Sequence, residues 1–381
     1  MPHHRDASGV LHGLEPVVAQ LDRWAGLFDE LVLCGPLLAG PPPSGFAPYA
    51  SPNVTLRPVP RAGGNTVKAK LAMAPMVPIW AWKTRQVARS VDAVHLRCPC
   101  NIAMVAIFST WGAVRYRYAI YAGVWHSYAG EPRFFAYQRR MLASRRFGGP
   151  VSVYSGPDPA RRHLEPFFSP SFDTATWEAG APVVEATRRR VGDREHQGPW
   201  RIIVVGRFTP NKNQRGAIEV LRLLVERGLD VTLDLVGDGP QAEALARQVD
   251  EAGLADRVAF LGSVDHGEVM RCFGQADLQL LTTFQEGYGK VLLEGMVQGV
   301  VPVFSPSPVA EEIAGSGSRG IVVEPSRPED AAVAIASLLD DRARWLAMID
   351  DARAYTEGLT LEAFETAVRE LLERQWGCDL S

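Results

Sequence analysis

Cysteine is scarce in this chain of 381 residues. Five are present, an odd number, at positions 34, 98, 100, 272 and 378, with no Cys-x-x-Cys pair. That pattern argues against a disulfide framework or a zinc site, and it makes the cytosol the expected compartment. Long apolar runs are missing as well. The longest, Leu71 to Trp82 (broken by Pro75 and Pro78) and Ile102 to Gly112, are too short to cross a bilayer. No charged segment followed by an apolar core opens the chain, so no secretory signal is legible. Internal repeats and low-complexity tracts are absent. No Gly-x-Gly-x-x-Gly follows a first strand with an acidic residue about twenty positions on, which leaves a dinucleotide-dependent oxidoreductase without support.

What is present is enough apolar sequence, 46% of residues, for two ordinary domain cores. The net charge of −3 hides an asymmetry. Residues 1–195 hold 23 Lys+Arg and 14 Asp+Glu, a net of +9, whereas residues 196–381 hold 17 and 29, a net of −12. The basic residues include Arg139, Arg140, Arg145, Arg146, Arg161, Arg162 and the run Arg188 to Arg190. They read either as solvated helix faces and a linker or as a surface for anionic lipid or an anionic acceptor. No nucleic-acid motif accompanies the charge, so nucleic acid is not an expected partner.

The second half alternates β-branched runs with helical patterns. The strands are 201–206, 231–237, 258–262, 278–283, 301–305 and 320–324, and the helices lie near 214–227, 240–252, 265–275 and 290–298. Continuous apolar strands with helical crossovers predict a parallel sheet covered on both faces, with ligands bound at the carboxyl ends of its strands. The first half is similar but weaker. A helix near 14–26 and strands at 30–35, 93–99, 118–124 and 151–155 are expected, with Pro-rich loops over 36–60. Ahead of the loop "DASG" no apolar strand is legible. The first strand of the N-terminal sheet is therefore expected to be missing, because either the recorded start is truncated or another segment fills the slot. Regular pattern lapses between 156 and 200. The domain reading is 1–180, a linker over 181–199, 200–358, and a C-terminal helix over 359–381 that packs back on the first domain.

Four strand ends in the second half carry chemistry. "VVGRFTPNKNQ" places Gly206, Arg207 and Lys212 between a strand and a helix, where two cations and free amides suit a diphosphate. "LVGDGP" with Gly237 and "AFLGSV" with Gly262 and Val264 offer backbone that a ligand can approach. "TTFQEGYGKVLLEGMVQG" puts Glu286 on a loop, Gly287, Tyr288, Gly289 and Lys290 at a helix start, and Glu294 about one turn into that helix. Each segment alone also reads as an ordinary turn or an exposed helix face. Together they supply carboxylates for two hydroxyl-rich rings and donors for the diphosphate between them.

In this order and spacing, "GRFTPNKN", "VGDGP", "FLGSV" and "EGYGKVLLEGMVQGVVPV" resemble the C-terminal domain of the retaining glycosyltransferases of family 4, over about residues 200–340. The resemblance implies an α/β fold of two doubly wound Rossmann-like domains facing a central cleft (GT-B), and transfer of a sugar from a nucleotide-diphosphate donor to a hydroxyl. Arg207 and Lys212 would hold the diphosphate, Glu286 the sugar hydroxyls and Glu294 the ribose. The amides of Gly287 to Gly289 would meet phosphate and sugar, and the stretch from Gly262 to Val264 would face the base. In the N-terminal domain, His126 of "YAIYAGVWHSY" would face the sugar and Gly9 of "DASG" would match the glycine loop near the phosphates. Retention of configuration without a metal or other cofactor is also implied. The acceptor reads as a glycan, a small molecule or a lipid-linked sugar. The aromatic stretch 71–82 fits peripheral contact with the cytoplasmic membrane face as well as it fits a buried loop. Cell-surface polysaccharide or glycoconjugate synthesis is the expected setting. A non-catalytic sugar-nucleotide-binding subunit is the competing reading, and Arg207, Lys212, Glu286 and Glu294 standing together weigh against it.

Overall fold

The computed structural model describes residues 1–43, 45–63, 72–128, 130–154, 160–193, 195–196 and 198–380. Leu71, Ser155, Arg194 and Gln197, each at an end of or inside a segment singled out above, lie outside the described residues. Residues 1–169 with 361–381 form one compact unit, and residues 170–360 form a second.

The first unit opens with β1 (His3–Arg5), β2 (Leu11–Leu14) and α1 (Glu15–Ala25). The expected absence of a first strand is corrected here. β1 is built on two buried histidines, His3 and His4, which carry no apolar signature in sequence. Next come β3 (Leu31–Gly35), β4 (Leu37–Leu38), β5 (Phe46–Pro48) and β6 (Val54–Pro58). The stretch 36–60 is thus not all loop. Its prolines bracket β6 rather than interrupt it, and Leu56 of that strand is buried against Leu33 of β3. Four strands form a small mixed sheet, β4-β1-β2-β5, while β3 and β6 pair in parallel.

After α2 (Met76–Ala88), β7 (Ala93–Cys98), α3 (Asn101–Ser109), β8 (Tyr116–Tyr121), α4 (Arg133–Leu142), β9 (Val151–Val153) and β10 (Leu164–Pro166) complete the larger parallel sheet. Its order is β10-β9-β8-β7. On α2, Trp80 is buried while Trp82 is 62% exposed, so the described part of that stretch, 72–82, is neither a buried loop nor a uniformly apolar surface.

The second unit begins with α5 (Thr174–Ala179) and α6 (Ala181–Gly192). The region expected as a linker is therefore largely helical. Val184, Thr187 and Val191 supply a buried stripe at i, i+3 and i+7, and Pro182 sits in the first turn, where its missing N–H costs nothing. Two arginines of the 188–190 run are structural ties. Arg188 pairs with Asp350, and Arg190 donates to the buried carboxylate of Asp277 at 2.7 Å, which also accepts from the Arg201 amide at 2.8 Å. Replacing Asp277 with alanine leaves a guanidinium and an amide without their acceptor. A loss of about 2–3 kcal/mol is expected, short of the full cost of breaking a buried pair because Arg190 is partly solvated. Urea unfolding reads this loss, and an unshifted midpoint would count against it.

The six-stranded sheet follows: β11 (Trp200–Val205), α7 (Gln214–Glu226), β12 (Val231–Val236), α8 (Ala242–Glu251), β13 (Val258–Gly262), α9 (His266–Gln275), β14 (Leu278–Leu281), α10 (Lys290–Val297), β15 (Val301–Phe304), α11 (Ala310–Ala314) and β16 (Ile321–Val322). Then come α12 (Pro328–Asp340), α13 (Arg342–Thr356) and, back in the first unit, α14 (Leu361–Trp376). The sheet is parallel throughout and ordered β13-β12-β11-β14-β15-β16. Val231, Leu233 and Leu235 of β12 and Ala217, Ile218, Leu221 and Leu224 of α7 lie in one core. Each fully buried leucine there contributes roughly 1.5–3 kcal/mol. Both units are doubly wound and Rossmann-like.

Candidate functional site

The strand order of the second unit reverses between β11 and β14. In open parallel sheets a crevice forms at such a switch point, outside the carboxyl ends of the strands. Two loops meet there, 206–213 after β11 and 282–289 after β14. The Phe284 amide donates to the Asn211 carbonyl at 2.9 Å, and Asn211 Nδ2 donates to the Gln285 carbonyl at 3.0 Å. Beside these bonds Lys212 Nζ donates to Glu286 Oε2 at 2.7 Å, and the Gly287 amide reaches Glu286 Oε1 at 3.1 Å. Cation and carboxylate, far apart in sequence, thus share one point. Asn213 sits at φ +54 and caps α7, its Oδ1 accepting from the Gly216 amide.

On the other side of β11 lies a cavity of about 450 Å³ lined by Gly206, Arg207, Gly237, Asp238, Gly239, Ser263 and Val264, among others. Its floor is backbone against backbone. Gly206 donates to the Val236 carbonyl (2.9 Å), Gly237 to that of Gly262 (2.7 Å) and Phe208 to that of Asp238 (2.9 Å). Gly237 has φ +133, and a Cβ there would stand 2.3 Å from the Gly206 carbonyl oxygen. No other residue fits. A Cβ on Gly206 would meet the Lys212 stem at 3.8 Å, so the cavity wall adjoins the Lys212–Glu286 pair.

Helix α10 starts at Lys290 behind Gly289, which has φ +77 as its N-cap. Glu294 is 7% exposed, and its Oε1 lies 3.4 Å from His266 Nε2 at the start of α9. Burial alone would raise the Glu294 carboxyl. His266, Ser171 and Lys290 together outweigh it and hold the group below the ordinary glutamate value of 4.5. A carboxyl depressed on folding contributes stability that is complete above pH 4.5 and is lost as pH falls through the folded-state value. Glu294→Gln is therefore expected to flatten the acid limb of the thermal midpoint just below that pH. An acid limb that matches wild type would sink the assignment.

The structure brings Gly206, Arg207, Gly237, Gly262 and Val264 to the carboxyl ends of β11 to β13, and Lys212, Glu286, Gly287, Tyr288, Gly289 and Lys290 to the switch point, with Glu294 behind them. Tyr288 is buried, and Lys290 Nζ donates to the Pro170 carbonyl at 3.4 Å. Gly9 and His126 belong to the first unit. Gly9, at φ +84, closes a turn in which Asp6 Oδ1 accepts from Ser8 and Val10 amides at 3.0 and 2.9 Å. His126 is exposed on the loop after β8, next to Trp125, whose ring meets Tyr121 edge-on at 5.2 Å. His266 and Ser171 were not singled out from sequence, whereas Asp238 and Gly239 lie in the turn "LVGDGP" that was. His266 stands two residues beyond Val264 at a helix start, the only sequence signal it offers.

Residues 187–355 match the family model for glycosyl transferases group 1. The fold is GT-B. Among solved structures, HepE from Anabaena in complex with UDP superposes with a TM-score of 0.69 over 97% of this chain and 98% of that one, at 18% identity. Sucrose-phosphate synthase from Thermosynechococcus elongatus gives 0.69 over 98% and 94%, at 20% identity. Among curated proteins, similarity extends to 2-deoxystreptamine glucosyltransferase of Streptomyces kanamyceticus, 30% identical over 179 residues, which is 47% of this chain and 46% of that protein. A GDP-mannose-dependent alpha-(1-6)-phosphatidylinositol monomannoside mannosyltransferase of Mycolicibacterium smegmatis is 31% identical over 201 residues, 51% and 50% of the two chains. The chain spans about half the length of the curated relatives it matches. Among the described residues, no helix is long and apolar enough to cross a membrane.

Proposed function

We propose that this GT-B chain is a retaining, metal-independent glycosyltransferase of family 4 that moves a hexose from a nucleotide-diphosphate sugar to an acceptor hydroxyl. The Lys212–Glu286 pair carries the reading. It sits at the switch point of a sheet ordered for nucleotide binding, beside a cavity into which Arg207 opens. A diphosphate lying over Gly206 and Gly287 would meet Arg207, Lys212 and the amides at the start of α10. Glu286 would then take sugar hydroxyls and Glu294 the ribose, so the two carboxylates serve opposite ends of one ligand. The base would rest against Gly262 and Val264.

Departure of the nucleoside diphosphate would be assisted by the two cations and the helix amides, the electrostatic contribution that enzymes of this kind rely on. The acceptor hydroxyl attacks from the same face, and a donor phosphate oxygen takes its proton. His126 would contact the sugar and Gly9 the phosphates from the first unit. A hydroxyl on a glycan or lipid-linked sugar is the proposed acceptor. Trp82, Val77 and Ile79, exposed on α2, support a lipid-linked one at the cytoplasmic membrane face.

Thermal-shift screening against nucleoside diphosphates is expected to single out one base, and proton NMR of the product should show the anomeric configuration of the donor kept. Inversion, or no shift with any diphosphate, would overturn the reading. EDTA is expected to leave turnover unchanged. A loss restored by added Mg²⁺ would rule out metal independence.

A further inference from the structure

Six arginines crowd residues 139–162 of the first unit, and the fold uses some of them internally. Arg139 donates to Glu131 at 2.7 Å, and Arg161 donates to the Ala143 carbonyl at 2.7 Å. Arg145 and Arg162 differ. Both are exposed, and among the described residues neither guanidinium makes a hydrogen bond or an ion pair. Chain folding nevertheless gathers them into one cavity of about 500 Å³, together with Gly149, His163 and Gln375.

The walls of this cavity are fixed. His163 Nε2 faces the Leu142 carbonyl at 3.2 Å, and Gln375 on α14 donates to Glu165 at 3.1 Å. Glu165 is the carboxylate bound to that wall, and Arg374 offsets its charge at 3.0 Å. Gly149 adds bare backbone, since a Cβ there would lie 2.0 Å from the Arg117 carbonyl oxygen. Two forked donors that are unpaired among the described residues favour a compact dianion, because each guanidinium can offer two parallel N–H bonds.

Position separates this cavity from the donor-type chemistry. Gly149 lies two residues before β9 and His163 directly precedes β10, so the cavity lies at the amino ends of these strands. The strands of this sheet are parallel, and the loop bearing His126 follows the carboxyl end of β8. Within the first unit the two features therefore occupy opposite ends of one sheet, and ligands of the fold itself use the carboxyl end.

We propose that Arg145 and Arg162, with His163 as part of the wall, form a phosphomonoester-binding site, distinct from any site for the sugar donor. The phosphate is that of a lipid headgroup or of a soluble phosphorylated compound. Isothermal titration of inorganic phosphate into the full chain is expected to reveal a site that weakens at least about tenfold in Arg145→Ala/Arg162→Ala, the scale of losing charge-assisted hydrogen bonds. The same site is expected to keep its affinity in Arg207→Ala/Lys212→Ala, which alters only the other unit. Phosphate binding that is equal in wild type and Arg145→Ala/Arg162→Ala, or absent from both, overturns the proposal. So does a site lost only in Arg207→Ala/Lys212→Ala. Co-sedimentation with phosphatidylcholine vesicles containing phosphatidic acid then distinguishes the sources. Loss of co-sedimentation in Arg145→Ala/Arg162→Ala assigns the lipid headgroup. Unchanged co-sedimentation alongside the lost titration site assigns the soluble phosphate.

Discussion

Replacing Lys212 with alanine is expected to lower turnover at least about a hundredfold, the usual scale for removing one preorganised electrostatic contact to a developing charge. The ammonium has two roles in the geometry. At rest it lies 2.7 Å from Glu286 Oε2, which fixes the carboxylate on the loop after β14. With a diphosphate bound it would also offset the charge that builds on the leaving group. Because the second role exists only in the transition state, the loss should fall on kcat more than on KM. Lys212→Arg keeps the charge but places a planar fork where a compact cation fits, and recovery of part of the rate would confirm that charge is the main element. Single-turnover kinetics makes the measurement. A rate within twofold of wild type, roughly 0.4 kcal/mol, would remove Lys212 from the reaction.

Gly237→Val is expected to be more damaging to the fold than any surface change in the second unit. Two costs add. A β-branched residue at φ +133 is strained by about 1–3 kcal/mol, and the added atoms would start 2.3 Å from the Gly206 carbonyl oxygen. Relief requires that the loops after β11 and β12 part, and the bonds Gly206 to Val236 and Phe208 to Asp238 hold them together. Overpacking of this kind costs a further 1–3 kcal/mol or so. Both the unfolding midpoint in urea and nucleoside-diphosphate binding should drop together, since these loops form the floor of the cavity. A variant that kept the wild-type midpoint would show that the loops are free to separate, and the tight backbone floor would then have no structural meaning.

Much of the second unit could be read from residues alone, and the reason is local. Its strands are continuous apolar runs such as Ile202 to Val205, buried on both faces, and its helices carry clear stripes such as Ala217, Ile218, Leu221 and Leu224. The glycines and charges at strand ends then fall where the topology needs a ligand. The first unit hid its elements behind unusual residues. β1 uses buried histidines, β6 is bounded by prolines, and α3 is apolar on nearly every face, so no helical period shows in its sequence. Helix α6 was masked by its arginines, two of which tie it to Asp277 and Asp350 rather than to solvent.

At the candidate site, residue types were legible and their partners were not. Lys212 and Glu286 read as phosphate and sugar ligands, yet nothing in their spacing announced that they touch. Only the strand order, with β14 beside β11, brings loops 74 residues apart into contact. The contact of Glu294 with His266 depends in the same way on α9 and α10 packing together. The basic cavity of the first unit is the extreme case, since Arg145, Arg162 and Gln375 come from three separate segments.

Helix α14 belongs to the first unit although the whole second unit precedes it in sequence. Arg23 on α1 pairs with Glu362 at 2.5 Å, and Phe364 meets Phe167 edge-on at 5.4 Å. A ribosome delivers this helix only after the whole second unit, so a nascent chain holding only residues 1–169 leaves Phe167 and α1 without their cover. The second unit has all of its residues from 170 to 360 in one stretch and can close while synthesis continues. The unit begun before the second is therefore closed only after it, and a chain that stops before residue 361 would leave the first unit without α14.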